Sequence, residues 1–290
     1  MDGGRVETVN RQEESSTACR WRLGIGSYAY AWAIGVPGYP VAQPMTAWNL
    51  LERCAVLGVR VVQIADNLPL DELSAHELDA LARRAHELGI AVEVGIRGIG
   101  AERLLRNLAI AAQMESPILR VVIDRGDYHP DVDQVVARFR AVLPEFAAAG
   151  VTLAIENHDR FRAAMLVGIL ERLESEWVGI CLDTVNSFGA LEGPEVVVKA
   201  LAPWTVNLHV KDFAIRRADH NMGFLLEGRP AGAGQLDVAW LLAELTAAGR
   251  SGSAILELWT PPAETVEATI AREAAWAEES VTALRSYLPD

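Results

Sequence analysis

The chain has 290 residues, 51% of them hydrophobic and 22% charged, which is ordinary globular composition. The length allows one large domain or two small ones. A net charge of -13, with Lys and Arg unclustered along the sequence, repels a phosphate backbone and argues against nucleic acid as a partner.

Residues 1–20 are polar and contain no apolar core, so they do not read as a signal peptide and are expected to form a mobile tail. No apolar run reaches the length of a membrane span. The three cysteines, Cys19, Cys54 and Cys181, are odd in number and widely spaced. They offer neither a disulfide framework nor a zinc knuckle, and a reducing cytoplasm is the expected location.

From Trp21 onward, short apolar runs alternate with amphipathic stretches. Strands are expected at 23–28, 59–65, 91–95 and 119–124, then at 152–158, 179–183, 206–212 and 254–259. Helical patterns lie between them, for example Thr46 to Leu57 and Ser74 to Leu88. Ser74 followed by Glu77 reads as a capping box. Gly58, Gly89, Gly150 and Gly249 stand where a left-handed helix stop belongs. Eight such units over residues 21–290 predict a single-domain (β/α)8 TIM barrel. The alternative, a doubly wound open sheet, is weakened because no Gly-x-Gly-x-x-Gly turn follows the first strand. Two segments break the rhythm, a Gly/Pro/aromatic loop from Trp32 to Pro44 and a long loop from Ala214 to Gly234. Loops after strands lie on the catalytic face of such a barrel, and the longer one is expected to act as a lid.

The last four strands carry the chemistry. They read Ile155-Glu156-Asn157-His158, Leu182-Asp183, Leu208-His209-Val210-Lys211-Asp212 and Leu256-Glu257-Leu258-Trp259. Buried carboxylates are costly unless they are paired or bind a metal. Glu156, Asp183, His209 and Glu257 at successive strand ends make a hard, mostly oxygen-lined site suited to one divalent cation, Mn2+, Mg2+ or Co2+. Side chains alternate along a strand, so Lys211 shares the inward face with His209, and Trp259 shares it with Glu257. Asp212 is expected to point away and hold a neighbouring loop. Cys181, below Asp183, reads as a small buried thiol. Arg97 ends the third strand, where a structural ion pair is the first expectation. Trp32, Phe224 and Trp259 are candidates for an aromatic pocket wall, and for Tyr28 ordinary packing is the first expectation over the same role.

The ordered set Ile-Glu-Asn-His, Leu-Asp-Thr, Leu-His-Val-Lys-Asp and Leu-Glu-Leu resembles the sugar isomerase/epimerase superfamily, the xylose-isomerase-like barrels. The resemblance implies that Glu156, Asp183, His209 and Glu257 bind one metal ion. It also implies that Glu156 and Glu257 flank a small carbohydrate as an acid/base pair. Family members carry a His a few residues after the strand-six Asp when they are ketose 3-epimerases, whereas this chain has Asn186 there. Asn cannot do acid/base work. The cations Arg216, Arg217 and Arg229 of the long loop suit a carboxylate, and with the aromatic loop they resemble a subgroup that contains 3-oxo-isoapionate decarboxylases. The first expectation is therefore an isomerase or epimerase forming an enediolate. The second is decarboxylation of a 3-oxo sugar acid through the same enediolate. His158, Asn186, Lys211, Arg229 and Trp259 are the expected substrate contacts. A homo-oligomer fits the resemblance. A DNA-repair endonuclease on this barrel would need a His-rich zinc cluster, and this chain has six His in all.

Overall fold

The computed structural model describes residues 21–288, so the expected tail and Cys19 lie outside the described residues. Ten strands follow in chain order: β1 Trp21–Gly26, β2 Val61–Ile64, β3 Ala91–Arg97, β4 Ile118–Val122, β5 Thr152–Glu156, β6 Val178–Asp183, β7 Thr205–Val210, β8 Asp212–Arg217, β9 Phe224–Arg229 and β10 Gly252–Leu256. Eight of them close into a parallel barrel in the order β1, β10, β7, β6, β5, β4, β3, β2. Each is thus an expected strand, shifted by up to three residues at its ends. The helices α1 Ala31–Ile34, α2 Ala47–Val56, α3 Ala75–Leu88, α4 Ala101–Gln113, α5 Val132–Ala149, α6 Ala163–Leu173, α7 Pro194–Leu201, α8 Val238–Ala247 and α9 Val266–Leu284 alternate with the strands.

Local sequence accounts for these helices. Thr46, Ser74 and Asp131 each close a capping box with the third residue of α2, α3 and α5. Gly89 and Gly150 end α3 and α5 with φ of 64° and 67°, where a side chain would be strained. Each helix turns an apolar stripe toward the strands. In α4 the stripe is Leu104, Leu108 and Ala111, at the i, i+4, i+7 spacing of one helical face. Truncating a buried leucine of that stripe to Ala costs about 2–5 kcal/mol.

The segment expected as a long loop from 214 to 234 is mostly a hairpin. β8 and β9 pair antiparallel from Asp212↔Arg229 to Arg217↔Phe224. The charges at Arg216, Arg217, Asp219 and His220 disguise it in sequence, because both faces of its outer half meet water. At its base the hairpin lies so close to the segment after β10 that a Cβ on Gly228 would collide with the Trp259 carbonyl oxygen. Asp212 anchors the return of the chain, as expected of it. Its carboxylate accepts from the backbone N–H groups of Gly232, Gly234 and Leu236.

Glu273 of α9 is buried and accepts from the backbone N–H groups of Trp32 and Ala33, at 3.0 and 3.1 Å. It thereby holds the start of α1 at the barrel mouth. Burial raises its pKa from 4.5 to about 7, against the lowering effect of those hydrogen bonds. A carboxyl with a raised folded-state pKa stabilises the fold fully below its unfolded value, and that contribution is lost as pH rises through the folded one. Between about pH 4.5 and 7 the wild-type chain is therefore expected to lose roughly 3 kcal/mol through this group. Glu273→Gln should flatten that slope in chemical denaturation at pH 5, 6, 7 and 8, whatever its absolute stability. An unchanged slope would show that Glu273 titrates normally.

Candidate functional site

Four strand ends on one side of the barrel mouth converge. Glu156 and Asp183 are the last residues of β5 and β6, His209 is next to last in β7, and Glu257 follows β10. All four side chains are buried. His209 Nδ1 lies 3.7 Å from Glu156 Oε2, 3.6 Å from Asp183 Oδ2 and 3.5 Å from Glu257 Oε2. Gly26 makes room for this arrangement, since a Cβ there would stand 3.0 Å from Glu257 Cγ and Oε1.

The imidazole tautomer is set from below. His209 Nε2 is 2.7 Å from Gln63 Oε1 on β2. The Gln63 amide is oriented in turn, because its nitrogen donates to Glu93 Oε2 and Asn207 Oδ1. Asn207 Nδ2 donates to the same Glu93 oxygen and to Ser253 Oγ, and Ser253 Oγ also contacts Glu93 Oε1. With Gln63 offering an oxygen, His209 Nε2 carries the proton and Nδ1 turns a lone pair toward the three carboxylates. Burial lowers the His209 pKa, but Glu257 and Glu156 outweigh it and raise the value. A proton or a cation is thus strongly drawn to that point.

The orphaned atoms test whether a metal fits. Glu156 Oε2, Asp183 Oδ2, His209 Nδ1 and both Glu257 oxygens are buried; Glu156 Oε2 meets Arg120, Asp183 Oδ2 and Glu257 Oε2 meet Lys211, and Glu257 Oε1 has no partner among the described residues. Native structures rarely leave such atoms unsatisfied. Three carboxylate oxygens and one imidazole nitrogen fit a hard divalent cation. Cys181 Sγ lies near Glu156 and His209 as well. Its thiol instead donates to Asn207 Oδ1 at 3.1 Å, and burial pushes its pKa up, so it stays a neutral packing group.

Two cations offset the buried carboxylates. Lys211 Nζ is 2.8 Å from both Asp183 Oδ2 and Glu257 Oε2. Burial works against the Lys211 charge, but these two acids win and raise its pKa. Arg120 of β4 is 2.5 Å from Glu156 Oε2 through Nε and 2.9 Å from Asp66 Oδ1 through Nη1. Burial also opposes its charge, and Glu156 and Asp66 again prevail. Asn186 Nδ2 donates to Glu156 Oε1 at 2.6 Å, so both Glu156 oxygens are engaged.

Above the cage opens a cleft of about 120 Å³. Of the expected substrate contacts, His158, Asn186, Lys211 and Trp259 line it. Arg229 does not; it stands on β9 with Nη2 3.4 Å from Glu227 Oε2. Arg216 likewise pairs with Asp219 and Glu227, and Arg217 lies over Phe224. The hairpin cations are thus used within the hairpin. Tyr28 and Trp259 wall the cleft, whereas Trp32 packs against Tyr39 and donates its Nε1 proton to Thr260 O. Sequence reasoning missed Gln63, Asp66 and Arg120. Only Arg120 carried a signal, as a lone charge within the apolar run Ile118–Val122.

The chain resembles known proteins along most of its length. The family model described as Xylose isomerase-like TIM barrel matches residues 51–287. A 3-oxo-isoapionate decarboxylase of Pectobacterium atrosepticum is 33% identical over 267 residues, covering 92% of this chain and 96% of that protein. The crystal structure of a D-psicose 3-epimerase superposes with a TM-score of 0.70 at 17% identity, covering 93% of this chain and all of that one. A xylose isomerase-like TIM barrel protein from Mycobacterium smegmatis, solved in complex with magnesium, superposes with a TM-score of 0.66 at 12% identity over 92% of this chain and 98% of that one. At these identities the two structures speak to fold alone.

Replacing Gln63 by Leu would strip His209, Glu93 and Asn207 of a buried partner. The expected loss is about 1–3 kcal/mol in denaturation. Mn2+ affinity, read by calorimetry, should fall about 10–100-fold. Unaltered affinity would separate Gln63 from the cage.

Proposed function

Because the chain belongs to the xylose isomerase-like TIM barrel family, we propose that it is a metal-dependent decarboxylase of a 3-oxo sugar acid, of the 3-oxo-isoapionate kind. The observation that carries this reading is the cage of three buried carboxylates and an imidazole on the cleft floor, of which Glu257 alone keeps an oxygen free of any partner among the described residues. Glu156, Asp183, His209 and Glu257 would hold the cation. Bound there, a divalent cation supplies Lewis-acid stabilisation to negative charge developing on a neighbouring substrate oxygen.

The residues divide the remaining work. In a 3-oxo acid the bond between the carboxyl carbon and C2 breaks. Its electron pair passes into a C2–C3 double bond and onto the ketone oxygen, leaving CO2 and an enediolate. The enediolate then needs one proton at C2, drawn ultimately from water. Epimerisation needs two carriers, one to remove a proton and one to return it on the other face. Glu156 is poorly placed for either task, since Arg120 occupies Oε2 and Asn186 occupies Oε1. Arg120 and Asn186 fix the Glu156 carboxylate in place, which suits it to holding the cation rather than moving a proton. Glu257 Oε1 is free to relay the single proton that decarboxylation requires. Lys211, beside Glu257 Oε2, adds a positive charge next to the forming enediolate. Asn186 supplies no acid, which agrees with the departure from the 3-epimerase motif.

The isomerase or epimerase reading rests on the motif and on the fold of the solved relatives, and one experiment separates the two. Metal-loaded protein is incubated in D2O with freshly made 3-oxo sugar acids and with neutral ketoses, followed by NMR. Release of CO2 with deuterium entering at the adjacent carbon supports decarboxylation. Deuterium entering a ketose without CO2 loss supports epimerisation and overturns the proposal. Glu257→Gln should lower turnover about 10²–10⁴-fold. Glu156→Gln should act mainly on metal affinity, so that added Mn2+ restores part of its activity.

A further inference from the structure

Three guanidinium or ammonium groups face the cleft, and they are not equivalent. Arg120 is 2% exposed and divided between Asp66 and Glu156. Lys211 is 8% exposed and divided between Asp183 and Glu257. Arg97, at the end of β3, is 31% exposed, and its nearest acid oxygen, Asp66 Oδ2, is 3.5 Å from Nε. That same oxygen already accepts from Tyr28 at 3.0 Å, and the other Asp66 oxygen takes Arg120. Arg97 is therefore weakly neutralised where the other two are fully engaged.

Its orientation is nevertheless fixed. Arg97 Nη2 is 3.2 Å from His158 Nε2. His158 Nδ1 is 2.8 Å from Asp159 Oδ2 and so carries the ring proton, which leaves Nε2 as an acceptor. Asp66 holds one edge of the guanidinium and His158 steers Nη2. Nη1 has no protein partner among the described residues. An oriented arginine with an open donor at a cleft wall suits a planar anion.

Barrel topology sets what that anion belongs to. In the closed strand order β3 lies across from β7, which bears His209. A small 3-oxo acid whose ketone oxygen sits at the cage would turn its carboxylate across the cleft toward Arg97, which lines it. We propose that Arg97, positioned by Asp66 and His158, binds the carboxylate of a sugar-acid substrate and selects acids over neutral sugars. This rests on the decarboxylase reading for the identity of the acid. It also explains why the grip is a single, partly shared edge. The carboxylate loses its charge as CO2 departs, so a tight clamp would stabilise the ground state more than the transition state.

The test is calorimetry on Mn2+-loaded protein with two unreactive probes, L-threonate and the neutral polyol erythritol. The wild-type protein should bind threonate more tightly, and Arg97→Gln should weaken threonate about 10–100-fold, the worth of one charge-assisted hydrogen bond. Erythritol binding should be unchanged in that variant, and Arg97→Lys should restore part of the threonate affinity. Undiminished threonate binding in Arg97→Gln overturns the Arg97 assignment while leaving the sugar-acid reading standing. A wild-type protein that binds erythritol as well as threonate overturns both. Kinetics give an independent check, since in the decarboxylation assay Arg97→Gln should raise KM about tenfold or more without lowering kcat. A fall in kcat at constant KM would contradict a ground-state carboxylate contact.

Discussion

The site depends on one electrostatic constraint. Three buried carboxylates face His209 Nδ1 at 3.5–3.7 Å. Asp183 and Glu257 thereby bring ligand atoms within 4.8 Å of each other, and like charges so placed in a low-dielectric interior repel strongly. The arrangement persists only because opposite charge is built in from two sides, Lys211 against Asp183 and Glu257, and Arg120 against Glu156. Three carboxylates against these two cations leave an excess negative charge at the point where the donor atoms are unsatisfied. A cation at that point completes the electrostatics and the hydrogen-bonding inventory together.

Beneath the cage the barrel interior departs from the apolar filling usual for this architecture. Gln63, Glu93, Asn207 and Ser253 form a closed polar layer in which each amide has its donors and acceptors assigned. Burial raises the Glu93 pKa, and hydrogen bonds from Ser253, Gln63 and Asn207 oppose that rise. Such a layer adds less to stability than well-packed leucines would. What it supplies is orientation: it holds Gln63 so that its oxygen meets His209 Nε2, and the other ring nitrogen is thereby left bare. Function and packing thus compete at this level of the barrel, and orientation has been retained.

The mouth is built from segments that are far apart in sequence. Glu273 in α9 holds the backbone of Trp32 and Ala33, and Trp32 donates to Thr260 after β10. The β8–β9 hairpin seats Gly228 on Trp259. Trp259 is thereby fixed as one wall of the cleft, opposite the rim where Asp66 gathers Tyr28, Arg97 and Arg120. An acid that organises two arginines next to a carboxylate cage gives the cleft both signs of charge. A small substrate carrying both an anionic group and oxygens for a cation needs that combination.

Much of this was legible in the chain itself. Strand and helix periodicity, the capping box at Ser74 and the glycine stops are local properties. They need only neighbours a few residues away, and they appear in the fold where expected. The four residues proposed to hold a cation, at the ends of β5, β6, β7 and β10, stood out for a related reason: a charge at the end of an apolar run is a local anomaly. Gln63 had no such mark, and what Asp66 and Arg97 hold was not legible, because their partners lie on other strands and meet them only when the barrel closes. The hairpin was obscured because alternation is weak when both faces of a strand meet water. The sequence by itself determined the elements, their order and the residues set out for chemistry. Tertiary structure alone decided which oxygens are already engaged, which arginine keeps an open donor, and which nitrogen of His209 faces the cage, because each depends on contacts between strands that only closure brings together.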